Sequence, residues 1–264
     1  MDLTLRQLRF AYRGGRPVLN GLDTTLADGQ LTALLGVNGS GKSTLLKLMA
    51  GILTPNSGAI VLGAPLEQSL SQLSPRRIAQ YCAYVAQNTQ PATLTVFDYV
   101  LLGRLPHQHG WSARASVADL NQVEACLNQM DLTDLAGTHL NQLSGGQLQM
   151  TVIARALAQQ PVILLLDEPT NNLDPKHQVQ LMDKLRTVSR EQGTMVIFSM
   201  HDINLALQWA DRVMLLHQGG LLRHDPTQLL TTADLSTLFG MPYQMVETRN
   251  HQHWFWPALN GSLK

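Results

Sequence analysis

The chain has 264 residues, enough to bury a substantial core in one large domain or in two unequal parts. Its 19 Lys plus Arg balance 19 Asp plus Glu, so it lacks the basic excess of a polyanion-binding surface, and nucleic acid is not expected as a partner. The two cysteines, Cys82 and Cys126, have no metal or CxxC spacing, and neither a secretory signal nor an apolar run of bilayer length is evident, so a reducing cytoplasmic setting is expected.

Leu3 to Phe10 and Leu19 to Leu26 alternate apolar and polar residues, which predicts antiparallel strands with one wet face. Leu31 to Leu35 is a continuous apolar run, as expected of a strand buried on both faces of a parallel sheet. It leads into Gly36-Val37-Asn38-Gly39-Ser40-Gly41-Lys42-Ser43-Thr44, a full match to the phosphate-binding pattern G-x-x-x-x-G-K-[ST]. The glycines let successive backbone N–H groups face one concavity, and the helix predicted from Lys42 to Ala50 adds its positive end. Lys42 brings a charge for the β- and γ-phosphates, and Ser43 a hydroxyl for Mg²⁺. A nucleoside triphosphate is the expected ligand.

From about Thr93 to Gln142 strand signals disappear, and Val117, Leu120, Val123 and Leu127 suggest a helical insertion between the first and second buried strands. Leu105-Pro106-His107-Gln108-His109-Gly110 reads as a loop within it. Leu143-Ser144-Gly145-Gly146-Gln147 then precedes a helix in which Leu148, Val152 and Ala156 recur every four residues. Ser144 is placed to cap that helix, and the two glycines leave N–H groups open to an anion. Val162 to Leu166 predicts a second buried strand ending in Asp167-Glu168, and Met195 to Ser199 a third ending near His201-Asp202. Ligands of open α/β sheets sit at the carboxyl ends of strands, so a phosphate cradle, two carboxylates and a histidine at three such ends predict one site. The last forty or so residues read as a tail with short helical character and no evident chemistry.

With these motifs in this order, the chain resembles the nucleotide-binding subunit of an ABC transporter over about residues 1 to 225. The resemblance implies an α/β P-loop NTPase (RecA-like) parallel-sheet core with an N-terminal antiparallel β subdomain and an inserted α-helical subdomain. The ATPase domain would span 1–240, its helical subdomain about 90–155, and the tail 241–264. The resemblance further implies ATP and Mg²⁺, each ATP lying between two copies of the chain paired head to tail. Tyr12 would stack on adenine; Gly36, Asn38, Gly39, Ser40, Gly41, Lys42, Ser43 and Thr44 would hold phosphates; Ser144, Gly145, Gly146 and Gln147 would close from the other copy. Ser43, Gln87 and Asp167 would hold Mg²⁺, Glu168 would act as general base, and His201 would contact the γ-phosphate. Asn171-Asn172-Leu173-Asp174 would link the two sites. Leu148 and Met150 occupy positions that the family often fills with polar or basic residues, and Asn171-Asn172 stands where many members have Ser-Ala.

The stretches Thr95 to His107 and His201 to Ala206 resemble importers of iron–siderophores, haem and cobalamin. That resemblance implies a homodimer at the cytoplasmic face of the inner membrane, peripheral, beneath integral membrane permease subunits fed by a periplasmic-type substrate-binding protein. Molybdate-type import and a soluble ABC ATPase of iron–sulfur cluster assembly are the alternatives. His107-x-His109 and His251-x-His253 lack an acidic or cysteine partner at ligand spacing, so no protein metal site is expected beyond the Mg²⁺ that accompanies ATP.

Overall fold

A computed structural model describes residues 1–87, 93–108, 115–171, 173–247 and 253–258. The calls on His109, Gly110, Asn172 and His251 lie outside the described residues. Strands β1 (Leu3–Ala11) and β2 (Pro17–Leu26) pair antiparallel, and their alternation puts Leu3, Leu5, Leu8, Leu19, Leu22 and Leu26 inward. β3 (Leu31–Leu35) is buried throughout and feeds the phosphate loop and helix α1 (Lys42–Met49). β4 (Ser57–Leu62) adds to the free edge of β1, and the short β5 (Gln68–Ser69) completes an antiparallel sheet ordered β2-β1-β4-β5.

Ser74 caps α2 (Pro75–Tyr81), with Pro75 at the first helical position where its missing N–H costs nothing. β6 (Cys82–Val85) follows directly. The helical region comprises α3 (Val96–Leu101), a 3₁₀ segment over Leu102–His107, α4 (Val117–Gln129) and the start of α5 (Gly145–Ala158). β7 (Ile163–Leu166), α6 (Pro175–Gln192), β8 (Met195–Ser199), α7 (Ile203–Trp209), β9 (Arg212–His217) and β10 (Gly220–Pro226) complete the second sheet. Its order is β10-β9-β3-β8-β7-β6, parallel except for the antiparallel edge strand β10. The chain ends in α8 (Thr232–Phe239) and a hairpin of β11 (Tyr243–Glu247) and β12 (His253–Pro257).

The three apolar strands expected of the parallel core are all present. β6 is an addition: four residues, Cys82-Ala83-Tyr84-Val85, are too short a run to announce themselves. The helical insertion therefore lies between β6 and β7, one strand later than the sequence suggests. Val117, Leu120, Val123 and Leu127 all lie on α4, with Val123 and Leu127 buried and Val117 73% exposed where the helix opens. Two further expectations are corrected. The patch at Leu105 to His107 is 3₁₀-helical rather than loop. The C-terminal segment is more than helical: its hairpin docks on α7, where Asn204 Nδ2 donates to Phe255 O at 2.9 Å and Phe255 N donates back to Asn204 Oδ1 at 2.8 Å.

Candidate functional site

In the phosphate loop Gly39 (φ 78°) and Gly41 (φ 104°) adopt the left-handed region that a side chain resists. A Cβ on Gly36 would meet Leu216 O at 2.5 Å and Ser40 Oγ at 2.6 Å, so only glycine fits there. Lys42 is 6% exposed, and its Nζ donates to Gly36 O at 2.8 Å and Val37 O at 3.3 Å. Burial pulls its pKa down, while the charges of Glu168 and Asp167 push the other way. Ser40 Oγ is buried without a partner among the described residues, an orphan hydroxyl inside a loop of left-handed glycines. That loop fits an anionic group. The Tyr12 hydroxyl lies 3.2 Å from Thr44 Oγ1, and its half-exposed ring meets Phe10 edge-on at 4.9 Å. Tyr12 is thus stationed at the start of α1, close to Ser43 and Thr44.

The second cluster forms where β6, β7 and β8 end. Ser199, fully buried at the end of β8, donates from Oγ to Asp167 Oδ1 at 2.7 Å and accepts from the Glu168 N–H at 2.9 Å. The Tyr84 hydroxyl donates to Asp167 Oδ2 at 3.2 Å, and burial followed by the Asp167 charge drives its pKa up. Glu168 occupies the left-handed region at φ 51°, an uncommon conformation for a side-chain-bearing residue, and the Ser199 contact holds it there. Three groups converge on its carboxylate: Gln87 Nε2 at 2.6 Å and Asn171 Nδ2 at 2.8 Å, both on Oε2, and His201 Nε2 at 2.5 Å from Oε1. The Ser43 hydroxyl, the Gln87 amide and the Asp167 carboxylate offer oxygen donors of the kind a hard divalent cation prefers, so these residues fit Mg²⁺. Among the described residues no group of three His, Cys, Asp and Glu side chains could hold a resident metal ion.

Ser144 to Gln147 belong to a separate cluster. The Gln147 N–H donates to Ser144 Oγ at 3.3 Å and the Ser144 N–H to Gln147 Oε1 at 2.9 Å, a reciprocal cap on α5. A Cβ on Gly145 would meet nothing within 4 Å, but one on Gly146 would press on the His177 ring at 2.8 Å. His177 in turn bonds Asp174, the cap of α6, through its N–H at 2.9 Å and its Nδ1 at 2.7 Å. Those contacts hold the Asp174 carboxyl below its ordinary range.

The structure therefore sorts the sequence-predicted residues into two groups. Tyr12, Gly36 to Thr44, Gln87, Asp167, Glu168 and His201 lie at one set of strand ends. Ser144 to Gln147 and Asp174 lie together, and no hydrogen bond or ion pair among the described residues joins them to the phosphate loop. Sequence reasoning missed Ser199 and Tyr84, and it named Asn171 as part of the segment linking two sites, not as a partner of Glu168. A single Ser or Tyr within an apolar strand carries no periodic signal; the one hint was that Ser199 precedes His201 by two residues.

A family model described as "ABC transporter" matches residues 19–171. The chain is 39% identical over 251 residues to the hemin import ATP-binding protein of Bordetella pertussis, covering 91% of this chain and 93% of that protein. It is 35% identical over 246 residues to the achromobactin transport ATP-binding protein of Dickeya dadantii, covering 92% and 90%. Among solved structures, an inward-facing putative metal-chelate type ABC transporter aligns with a TM-score of 0.82 and 30% identity, covering 98% of both chains. A dimeric bacterial ABC transporter cassette aligns with a TM-score of 0.74 and 28% identity, covering 85% of this chain and 98% of that one.

Proposed function

The chain belongs to the ABC transporter family, whose ATP-binding subunits hydrolyse ATP to power transport, and from that premise we propose that it energises import of a metal chelate. Two copies pair head to tail, each ATP lying between the phosphate loop of one and Ser144 to Gln147 of the other. Tyr12 stacks on adenine. The amides of Gly36, Asn38, Gly39, Ser40 and Gly41, with Lys42, Ser43 and Thr44, hold the phosphates. Ser43, Gln87 and Asp167 would hold Mg²⁺, which would supply charge neutralisation at the triphosphate.

Glu168 takes a proton from the attacking water as the new oxygen–phosphorus bond forms and the bond to ADP breaks. In the structure Gln87, Asn171 and His201 all rest on Glu168, so its lone pairs are engaged until the substrate draws those groups away. Gln87 then meets the water and His201 the γ-phosphate, while the partner copy's open Gly145 amide meets the same phosphate and Asp174 lies at the junction of the two sites. Hydrolysis removes the charge that joins the copies, and the helical region passes their separation to the permease.

One observation carries this reading. Within a single chain the open, glycine-rich helix start at Ser144 is tied to Asp174 and His177, away from the strand ends that hold Glu168. Each chain thus bears two complementary halves, which a head-to-tail pair would bring together. The dimeric cassette among the structural neighbours supports the pairing. The hemin and achromobactin relatives, with the metal-chelate type transporter, support an iron–siderophore or haem as cargo. No helix among the described residues is long and apolar enough to cross a membrane. The chain's likeness to import ATP-binding proteins supports a peripheral position at the cytoplasmic face, docked on permease subunits that receive cargo from a substrate-binding protein.

Replacing Glu168→Gln tests the composite site. With Mg²⁺ and ATP the variant is expected to sediment as a dimer and to hydrolyse ATP at least about a hundredfold more slowly. A variant that stays monomeric with ATP, or that turns over at the wild-type rate, refutes it. For the cargo, ATP hydrolysis by the complex reconstituted with its permease should rise with binding protein loaded with a ferric siderophore or haem. A response to molybdate alone would reassign it.

A further inference from the structure

On the far side of His201, α6, α7 and β12 enclose a cavity of about 380 Å³ that the nucleotide chemistry does not use. Its wall carries Arg186 and Arg190 from α6, Trp209 and Asp211 from the end of α7, and His253 and Trp254 from β12. Among the described residues two donors here have no partner. Trp209 is only 8% exposed, yet its indole Nε1 lacks an acceptor, and Arg186 Nε is buried and equally unpaired. Among the described residues Arg186 forms no ion pair. A buried N–H with no acceptor is costly, so two beside one cavity call for an acceptor that enters it.

The two strongest acceptors lining the cavity, Asp211 and Asn204, are already engaged. Asp211 takes the Leu31 N–H at 2.9 Å on Oδ2 and faces Arg190 at 3.6 Å from Oδ1. Asn204 spends its carbonyl and its amide on the Phe255 backbone. Besides the neutral side chains of Gln208, Thr227 and Gln228, what remains is the positive charge of Arg186 beside apolar surface, since Leu207, Ala210 and the half-exposed Trp254 also line the space. Arginine prefers planar, two-oxygen anions, and the volume lies in the range of small-molecule sites.

We propose that this cavity, between the C-terminal hairpin and the helix that follows His201, is a second ligand site that takes a small organic anion. Its carboxylate or phosphate meets Arg186 and the Trp209 N–H, and its apolar body lies against Trp254 and Leu207. The site is independent of the nucleotide pocket and of the cargo assignment above.

The test is calorimetric titration of the full-length protein, saturated with ADP and Mg²⁺, using benzoate, the neutral isostere benzamide and inorganic phosphate. Benzoate should bind saturably at one per chain, with benzamide and phosphate each at least about tenfold weaker. Arg186→Gln should weaken benzoate about tenfold or more, and Trp209→Phe, which removes only the N–H and the smaller ring, severalfold. Unchanged ADP affinity in both variants would show that each retains the fold. Absence of saturable benzoate binding overturns the site. So does benzamide binding as tightly as benzoate, or an affinity indifferent to Arg186→Gln. Phosphate binding as tightly as benzoate would overturn the organic body of the ligand.

Discussion

Ser199 exposes no surface, and its hydroxyl serves both acidic residues at the end of β7. It keeps the Asp167 carboxylate turned one way and holds the Glu168 backbone in its left-handed conformation. Ser199→Ala is therefore expected to slow ATP hydrolysis about 10- to 100-fold, the equivalent of one or two charge-assisted hydrogen bonds. ATP affinity should change less than about threefold, because the phosphate loop does not depend on Ser199, and the Mg²⁺ concentration for half-maximal rate should rise as Asp167 loosens. Turnover and equilibrium binding measured side by side would separate this positioning role from a general loss of fold. Asn171→Ala removes just one of the three contacts on Glu168 and should cost less, about two- to tenfold in turnover.

At the scale of elements, the 3₁₀ segment Leu102–His107 is the tie between the helical region and the core. The Arg104 guanidinium donates to Asp119 Oδ1 at 2.8 Å, to Ala158 O at 2.6 Å and to Gln160 Oε1 at 2.9 Å. Its bond to Asp119, with those from Ser116, draws that carboxyl down to about 2. His107 Nε2 reaches Gln159 O at 2.8 Å, and Gln159 Nε2 donates to Cys82 O at the start of β6, also at 2.8 Å. Through this chain of contacts α4 and α5 are fastened to the strand that ends near Gln87. Arg104→Ala would strand Asp119 nearly buried and is expected to lower unfolding stability by about 3–5 kcal/mol in urea melts, with Arg104→Lys recovering only part because lysine lacks the fork. The sequence marks Thr95 to His107 as distinctive of a transporter group, yet gives no sign that the segment is a strap. Its partners lie 15 to 56 residues away, and no local pattern encodes them.

Across the whole molecule, the N-terminal sheet is joined to the core partly through a half-buried histidine. Thr24 Oγ1 on β2 and His224 Nδ1 on β10 lie 2.7 Å apart, and Arg212 Nε donates to the other ring nitrogen at 3.2 Å. Burial, reinforced by the Arg212 charge, lowers the His224 pKa to about 4, against an ordinary value of 6.5. The folded state thus keeps the ring neutral where the unfolded chain takes a proton. Unfolding binds protons between pH 6.5 and 4, so stability falls as pH drops through that window and levels off below it. The loss should approach about 3 kcal/mol once the folded ring is protonated as well, below about pH 4, and His224→Gln should flatten that part of the curve. Urea melts at pH 7 and pH 4.5 on both proteins would measure it.

The sequence by itself determined the chemistry and the frame: the phosphate loop, the acidic pair, the signature turn and three apolar strands are local patterns, because backbone curvature and two-sided burial are written in consecutive residues. Even the Ser144 cap is readable, since it involves residues three apart. Only the tertiary structure decided which polar groups meet. Gln87 and His201 converge on Glu168, Ser199 binds the Asp167 carboxylate and the Glu168 N–H, and the C-terminal hairpin closes on α7 over separations that range from 31 to 81 residues. Such contacts arise from the order in which strands enter the sheet, and strand order is a property of packing that no short window of residues contains.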